Sequence, residues 1–228
     1  MTGRIKCMKD LAIFEPLTAE EKQSVTRLAR PAEYKKGEII FSEGDPADTI
    51  YLVRSGQVLL YKISEDGKEI SLDILKEDDI LGENTIFDDI QHSMNARALE
   101  DTFVCTCSRS DFPNLLKNPM TALRIIKALG DKLNNYTEQM ASMAFRDVRG
   151  RVVGTLVRLA REYGQETSRG IRIDISLNHQ DVANLVNASR VMVTNTLNAL
   201  KQEGLISVYR RRFYLVDPDL LKEGKPHV

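Results

Sequence analysis

The chain has few of the residue patterns that mark enzymes, metal proteins or membrane proteins. It holds three cysteines, Cys7, Cys105 and Cys107, among 228 residues. An odd, sparse count suits a reducing cytoplasm and excludes a disulfide scaffold. Its three histidines, His92, His179 and His227, lie far apart in sequence. No pair has zinc-ligand or metalloprotease spacing, and the His/Glu cluster that a metal-dependent barrel enzyme needs is missing. There is no phosphate loop, dinucleotide fingerprint or nucleophile elbow. No apolar run approaches the ~18 residues of a membrane span, and charged residues scattered through Met1 to Phe14 do not read as a secretory signal. Nothing here marks an enzyme, a membrane partner or a certain cofactor.

Net charge is also nearly absent, with 32 Lys and Arg against 33 Asp and Glu. The near-zero total hides a division. Residues 1–147 hold 19 basic and 25 acidic side chains, a net of −6, and residues 148–228 hold 13 and 8, a net of +5. An acidic front joined to a basic tail is the asymmetry expected when only one domain meets an anionic polymer.

Hydrophobic patterning divides the chain into three expected units: residues 1–117, 118–147 and 148–228. In the first, Thr18 and Glu21 form a capping box ahead of a short helix. From Glu33 to Arg109, short β-type runs alternate with turn signals. Examples are Thr49 to Val53, Gln57 to Tyr61, Glu69 to Leu75 and Thr102 to Cys105. Such spacing predicts an antiparallel sandwich or barrel.

The second unit predicts one long helix, Pro119 to Phe145. Ala122, Ile126, Leu129, Leu133, Tyr136, Met140 and Met143 recur at alternating gaps of four and three, a coiled-coil seam. A helix of 27 residues spans about 40 Å, more than a small domain needs for its own packing. The seam therefore predicts a homodimer interface carried by Ile126, Leu129, Leu133, Tyr136, Met140 and Met143. The alternative is a helix lying along its own barrel.

The third unit predicts a helix (Arg149 to Gly164), an extended segment (Ile171 to Ile175), two helices separated at Asn187-Ala188, and a hairpin. Asn178 and Ser189 suit the two N-caps. Val193, Leu197 and Leu200 face one way, and Arg190, Thr194, Asn195, Asn198 and Lys201 face the other. Two short helices around a tight turn, in a basic domain, form a helix-turn-helix pattern. The hairpin, Ile206 to Tyr209 and Phe213 to Val216, turns through Arg210-Arg211-Arg212, a candidate phosphate clamp.

Nearly the whole chain resembles a bacterial transcription regulator of the Crp/Fnr family. Lys36-Gly37-Glu38, Gly44-Asp45, Leu52 to Gly56 and Asp78 to Glu83 resemble a cyclic-nucleotide-binding fold. Phe145 to Arg151 resembles the hinge, and His179 to Ala183 with Ala188-Ser189-Arg190 resembles the Crp-type helix-turn-helix. The resemblance implies an α+β fold: an N-terminal antiparallel β-roll, a long dimerisation helix and a C-terminal winged helix-turn-helix. It also implies a cytoplasmic homodimer on a pseudo-palindromic double-stranded DNA site, with RNA polymerase as a further partner.

The resemblance assigns effector contacts to Gly82 and Glu83. The Arg-Ser pair of the family's phosphate clamp reads His92-Ser93 here, and the Thr-Ser pair that meets the purine reads Tyr136-Thr137. An imidazole is a poor substitute for a bidentate guanidinium. The implied effector is thus a small molecule other than cyclic AMP. Iron-sulfur members use about four thiolates, and Cys7 is the only N-terminal cysteine. A redox-active Cys105/Cys107 pair, haem ligation, and a ligand-binding subunit without DNA binding are the remaining alternatives. For DNA, the resemblance assigns base reading to Arg190, Val191 and Asn195 and a backbone contact to Gln180, with Ser189 and Thr194 on the same surface. Arg pairs with guanine O6/N7, Val meets a thymine methyl and Asn pairs with adenine.

Overall fold

The computed structural model describes residues 12–83 and 91–217. Inter-residue contacts divide the chain into two compact units. One is the chain up to Asn134 without Glu69–Ser71; the other is Glu69–Ser71 with the chain from Asn135 onward.

In the first unit, a 3-10 turn leads into α1 (Ala19–Leu28). The expected capping box is formed: the Thr18 N–H donates to Glu21 Oε2 at 2.8 Å and the Glu21 N–H to Thr18 Oγ1 at 3.3 Å. Eight strands follow among the described residues: β1 (Arg30–Tyr34), β2 (Ile39–Phe41), β3 (Thr49–Ser55), β4 (Val58–Ile63), β5 (Glu69–Leu75), β6 (Ile80–Leu81), β7 (Asn95–Ala98) and β8 (Thr102–Ser108). They form two four-stranded sheets, ordered β1-β8-β3-β6 and β2-β7-β4-β5. This is the expected antiparallel roll. One core, including Val53, Leu60, Leu81 and Val104, lies inside it. A second joins Ile50, Leu52, Cys105 and Cys107 to Val25 of α1, to Phe112 of α2 (Phe112–Leu115) and to Ile125. Strand β1 was not legible in sequence, because Arg30-Pro31-Ala32-Glu33 carries no apolar alternation; pairing with β8 makes it a strand.

Helix α3 is Pro119–Phe145, as the seam predicts. Its apolar positions divide. Ile126, Leu133 and Met140 are 62%, 65% and 71% exposed. Leu129, Tyr136 and Met143 are half-buried, and Leu129 packs against the outer β-roll core. One row of the seam is therefore open, while the Leu129 row partly serves its own chain.

In the second unit, α4 (Val148–Tyr163) starts at Asp147, whose Oδ1 accepts the Gly150 N–H at 2.7 Å. Strands β9 (Gly164–Thr167) and β10 (Gly170–Ile173) form a hairpin. Helices α5 (His179–Val186) and α6 (Arg190–Gln202) follow, then β11 (Ile206–Tyr209) and β12 (Arg212–Leu215). The sheet order is β11-β12-β10-β9. Strand β9 was missed in sequence because Gly-Gln-Glu-Thr is exposed throughout. Asn187 adopts the left-handed conformation, φ 47°, that the turn between α5 and α6 requires.

Candidate DNA-binding surface and effector cavity

The α5–α6 pair is built by caps and packing. Asn178 Oδ1 accepts the N–H groups of Gln180 and Asp181 at 2.7 and 3.0 Å. Ser189 Oγ accepts the Met192 N–H at 3.2 Å, starting α6. Val193, Leu197 and Leu200 are fully buried, so α6 can present only its other face. That face carries Arg190, Val191 and Asn195, all exposed, with Val191 at 70%. Gln180 is also exposed and donates to Asn184 Oδ1 at 2.8 Å.

Thr194 differs from its neighbours. It is half-buried, and its Oγ1 lies 2.9 Å from His179 Nδ1, a hydrogen bond that ties α6 to the start of α5. Burial, then the charges of Lys201 and Arg190, push the His179 pKa down. The ring is therefore neutral at neutral pH, a fixed strut between the helices.

The three consecutive arginines do not act alike. Arg210 and Arg211 form the hairpin turn, both at positive φ, 49° and 62°. Arg212 lies on β12, half-buried, with its guanidinium bound to Asp174. That corrects the expected triple clamp. Two arginines are open to solvent, and the third holds the sheet together because Asp174 is close in space though 38 residues away in sequence.

In the β-roll, Gly82, Glu83, His92 and Ser93 are brought together around one cavity, with Phe41, Leu60, Leu81 and Met94 as its apolar walls. Gly82 sits at φ +81°, and a Cβ there would lie 2.7 Å from the Thr49 carbonyl oxygen, so only glycine fits. His92 is buried and stacked on Phe41, ring centroids 3.7 Å apart. Burial pushes its pKa down, against the pull of Asp45 and Asp48, so it stands as a neutral aromatic wall.

The sequence reading missed Lys132. From α3 its ammonium donates to Glu83 Oε1 at 2.6 Å and to the Ile80 carbonyl at 3.3 Å. Both side chains of this ion pair are about 15% exposed or less. No sequence signal would have found the pair, which is set by how α3 lies on β6. Lys132 of α3 lines the cavity, while Tyr136 and Thr137 belong to the other compact unit. The cavity measures about 20 Å³, room for about one water, whereas pockets for drug-sized ligands run to about 300–1,000 Å³.

Cys105 and Cys107 are buried in the outer core. Burial, helped by Asp111, pushes the Cys107 thiol up to about 11, so it is protonated at neutral pH and a poor nucleophile. Cys7 lies outside the described residues. Among the described residues no three His, Cys, Asp or Glu side chains are grouped to hold a metal ion, and no helix is long and apolar enough to cross a membrane.

Known proteins share this arrangement. Residues 31–118 match the family described as cyclic nucleotide-binding domain, and residues 150–223 match the Crp-like helix-turn-helix domain. Over 176 residues the chain is 31% identical to the anaerobic regulatory protein of Bacillus subtilis, covering 76% of this chain and 74% of that one. It is 26% identical over 210 residues to a CRP-like cAMP-activated global transcriptional regulator of Mycobacterium tuberculosis, covering 92% and 94% of the two chains. A CooA mutant from Carboxydothermus hydrogenoformans superposes with a TM-score of 0.77 at 28% identity, covering 96% and 97%. With its β-roll, long helix and helix-turn-helix matched along most of its length, the chain belongs to the Crp/Fnr family of transcription regulators.

Proposed function

We propose that the protein is a homodimeric, sequence-specific DNA-binding regulator controlled by a small-molecule effector in the β-roll cavity, and that the effector is not cyclic AMP. The observation that carries the DNA reading is the exposed face of α6, where Arg190, Val191 and Asn195 stand free of the core that fixes the helix behind them. Arg190 reads guanine, Val191 a thymine methyl and Asn195 adenine. Gln180, Arg210 and Arg211 contact the backbone, and Ser189 and Thr194 hold α6 in position.

The open row Ile126, Leu133 and Met140 supports dimerisation, since a second copy of α3 is the surface that a heptad row fits. Two recognition helices related by that seam read a pseudo-palindromic site, and RNA polymerase is the partner through which binding acts on transcription.

Effector control follows from Lys132. An effector that enters the cavity must enlarge it and compete for Glu83 or Lys132. Lys132 precedes the seam residue Leu133, so breaking the pair shifts α3 and with it the spacing of the recognition helices. Among the described lining residues cyclic AMP finds no arginine for its phosphate, a neutral His92 in that place and an acid already paired. A cysteine-based switch is disfavoured by the protonated thiol of Cys107.

The test is selection of bound duplexes from a random pool by the purified protein, followed by calorimetry with cyclic AMP. Enrichment of an inverted repeat is expected, with at most weak nucleotide binding. Recovery of no preferred sequence overturns the DNA reading, and micromolar cyclic AMP affinity overturns the effector reading. Native mass spectrometry of the fresh protein reports dimer mass and any retained ligand or haem.

A further inference from the structure

The arginines of the second unit fall into two groups. Some are matched by acids: Arg149 meets Glu203 through two bonds of 3.0 and 2.5 Å, Arg158 meets Glu162 at 3.2 Å, and Arg172 and Arg212 share Asp174. Arg169, Arg210 and Arg211 are exposed, and among the described residues no carboxylate pairs with them. Two of these three nevertheless converge. The Arg169 guanidinium carbon lies 4.5 Å from the Tyr209 ring centroid, and that of Arg210 lies 5.3 Å from the same centroid.

Arg169 comes from the turn of the β9–β10 hairpin, and Tyr209 and Arg210 come from the β11–β12 hairpin. Pairing of β10 with β12 makes the two hairpins one sheet. The two guanidinium carbons are at most about 10 Å apart, the two ring distances laid end to end. That is about one Debye length at 0.1 M salt, so the charges repel unless an anion lies between or beside them. The ring face attracts each cation and fixes its position, but it does not neutralise either. Guanidinium planes held on an aromatic ring, with no internal acid, form a preorganised oxyanion contact.

We propose that Arg169, positioned by Tyr209 beside Arg210, contacts a DNA backbone phosphate, so that the wing consists of both hairpins rather than the Arg210-Arg211 tip alone. The proposal rests on the DNA-binding reading above. A phosphate contact adds affinity and register without sequence preference, and that property makes it measurable.

Full-length protein is titrated by fluorescence anisotropy against its selected duplex and a scrambled duplex of equal length, from about 50 to about 200 mM salt. Arg169→Ala is expected to weaken both complexes by the same factor. The slope of log affinity against log salt should become shallower by about 0.9 per protomer, or about 1.8 for a dimer. Tyr209→Leu should reproduce part of that loss, and Tyr209→Phe, which keeps the ring, should restore it. Thermal melting confirms that each variant is folded. An unchanged slope for folded Arg169→Ala overturns the proposal. So does a change confined to the selected duplex, which would mark Arg169 as a base reader. Unchanged DNA binding with lost transcription in a purified polymerase assay also overturns it, in favour of a protein contact. If wild type shows no salt-dependent binding to either duplex, the DNA-binding reading itself has failed.

Discussion

In the β-roll, the lysine that reaches the candidate cavity is matched: Lys132 meets Glu83 at 2.6 Å behind apolar walls, and the histidine beside them is stacked and neutral. In the winged domain, Arg190, Arg210 and Arg211 stand on the surface, while Glu203 and Asp174 are taken by other arginines. Burial explains the difference. A charge inside the protein must be compensated by the protein itself, whereas a charge at the surface is solvated and available to a polyanion. The candidate cavity of the β-roll therefore has its charges matched within the protein, whereas the exposed arginines of the winged domain remain available to an anion.

The largest expected effect lies on α3. Leu133→Glu places a carboxylate in the open seam row, and the lost burial of two leucines alone is about 3–6 kcal/mol. Sedimentation should show monomer, and an intact dimer would refute the open row of α3 as the interface. Next, Lys132→Ala leaves Glu83 buried without its cation, at a cost of about 3 kcal/mol for a largely buried pair. The double change Lys132→Met with Glu83→Gln should recover most of the loss in a denaturant titration. Equal loss in both variants would mean that the pair does not act as a unit.

Arg190→Ala tests the open surface. It should cost roughly 1–3 kcal/mol on the selected site with little change on random DNA. Equal loss on both would reduce Arg190 to a backbone contact.

The smallest effect is a pH dependence of the β-roll cavity. His92 has its folded pKa below the ordinary 6.5 because of burial. Between the folded and unfolded values the unfolded chain binds more protons, so stability rises with pH in that window and falls as pH drops below about 6.5. His92→Phe should keep the stack on Phe41 and flatten this slope of the thermal midpoint, leaving the share due to His179, which is shifted the same way. An unchanged slope would show that His92 is not buried neutral.

Much of this was legible from local signals. Thr18, Asn178 and Ser189 cap the helices that the sequence assigns to them, and the apolar recurrence marks α3 from Pro119 to Phe145. The exposed face of α6 followed from period alone, because Val193, Leu197 and Leu200 must be inside. Strands β1 and β9 were illegible because their residues are polar and only a neighbouring strand makes them β. Lys132, which lines the cavity, was not legible, because its partner Glu83 is 49 positions away.

The sequence by itself determined the caps of α1, α5 and α6, the extent of α3, the heptad pattern, the helix-turn-helix and the division of charge. Each depends on residues within one or two turns of each other or on a count. Tertiary structure alone decided which charges are available. Glu83 finds Lys132 across 49 positions, Asp174 takes Arg212 across 38, and Tyr209 holds Arg169 from a different hairpin. A charge is compensated by whatever lies within a few ångströms in space, and no local sequence pattern encodes that distance.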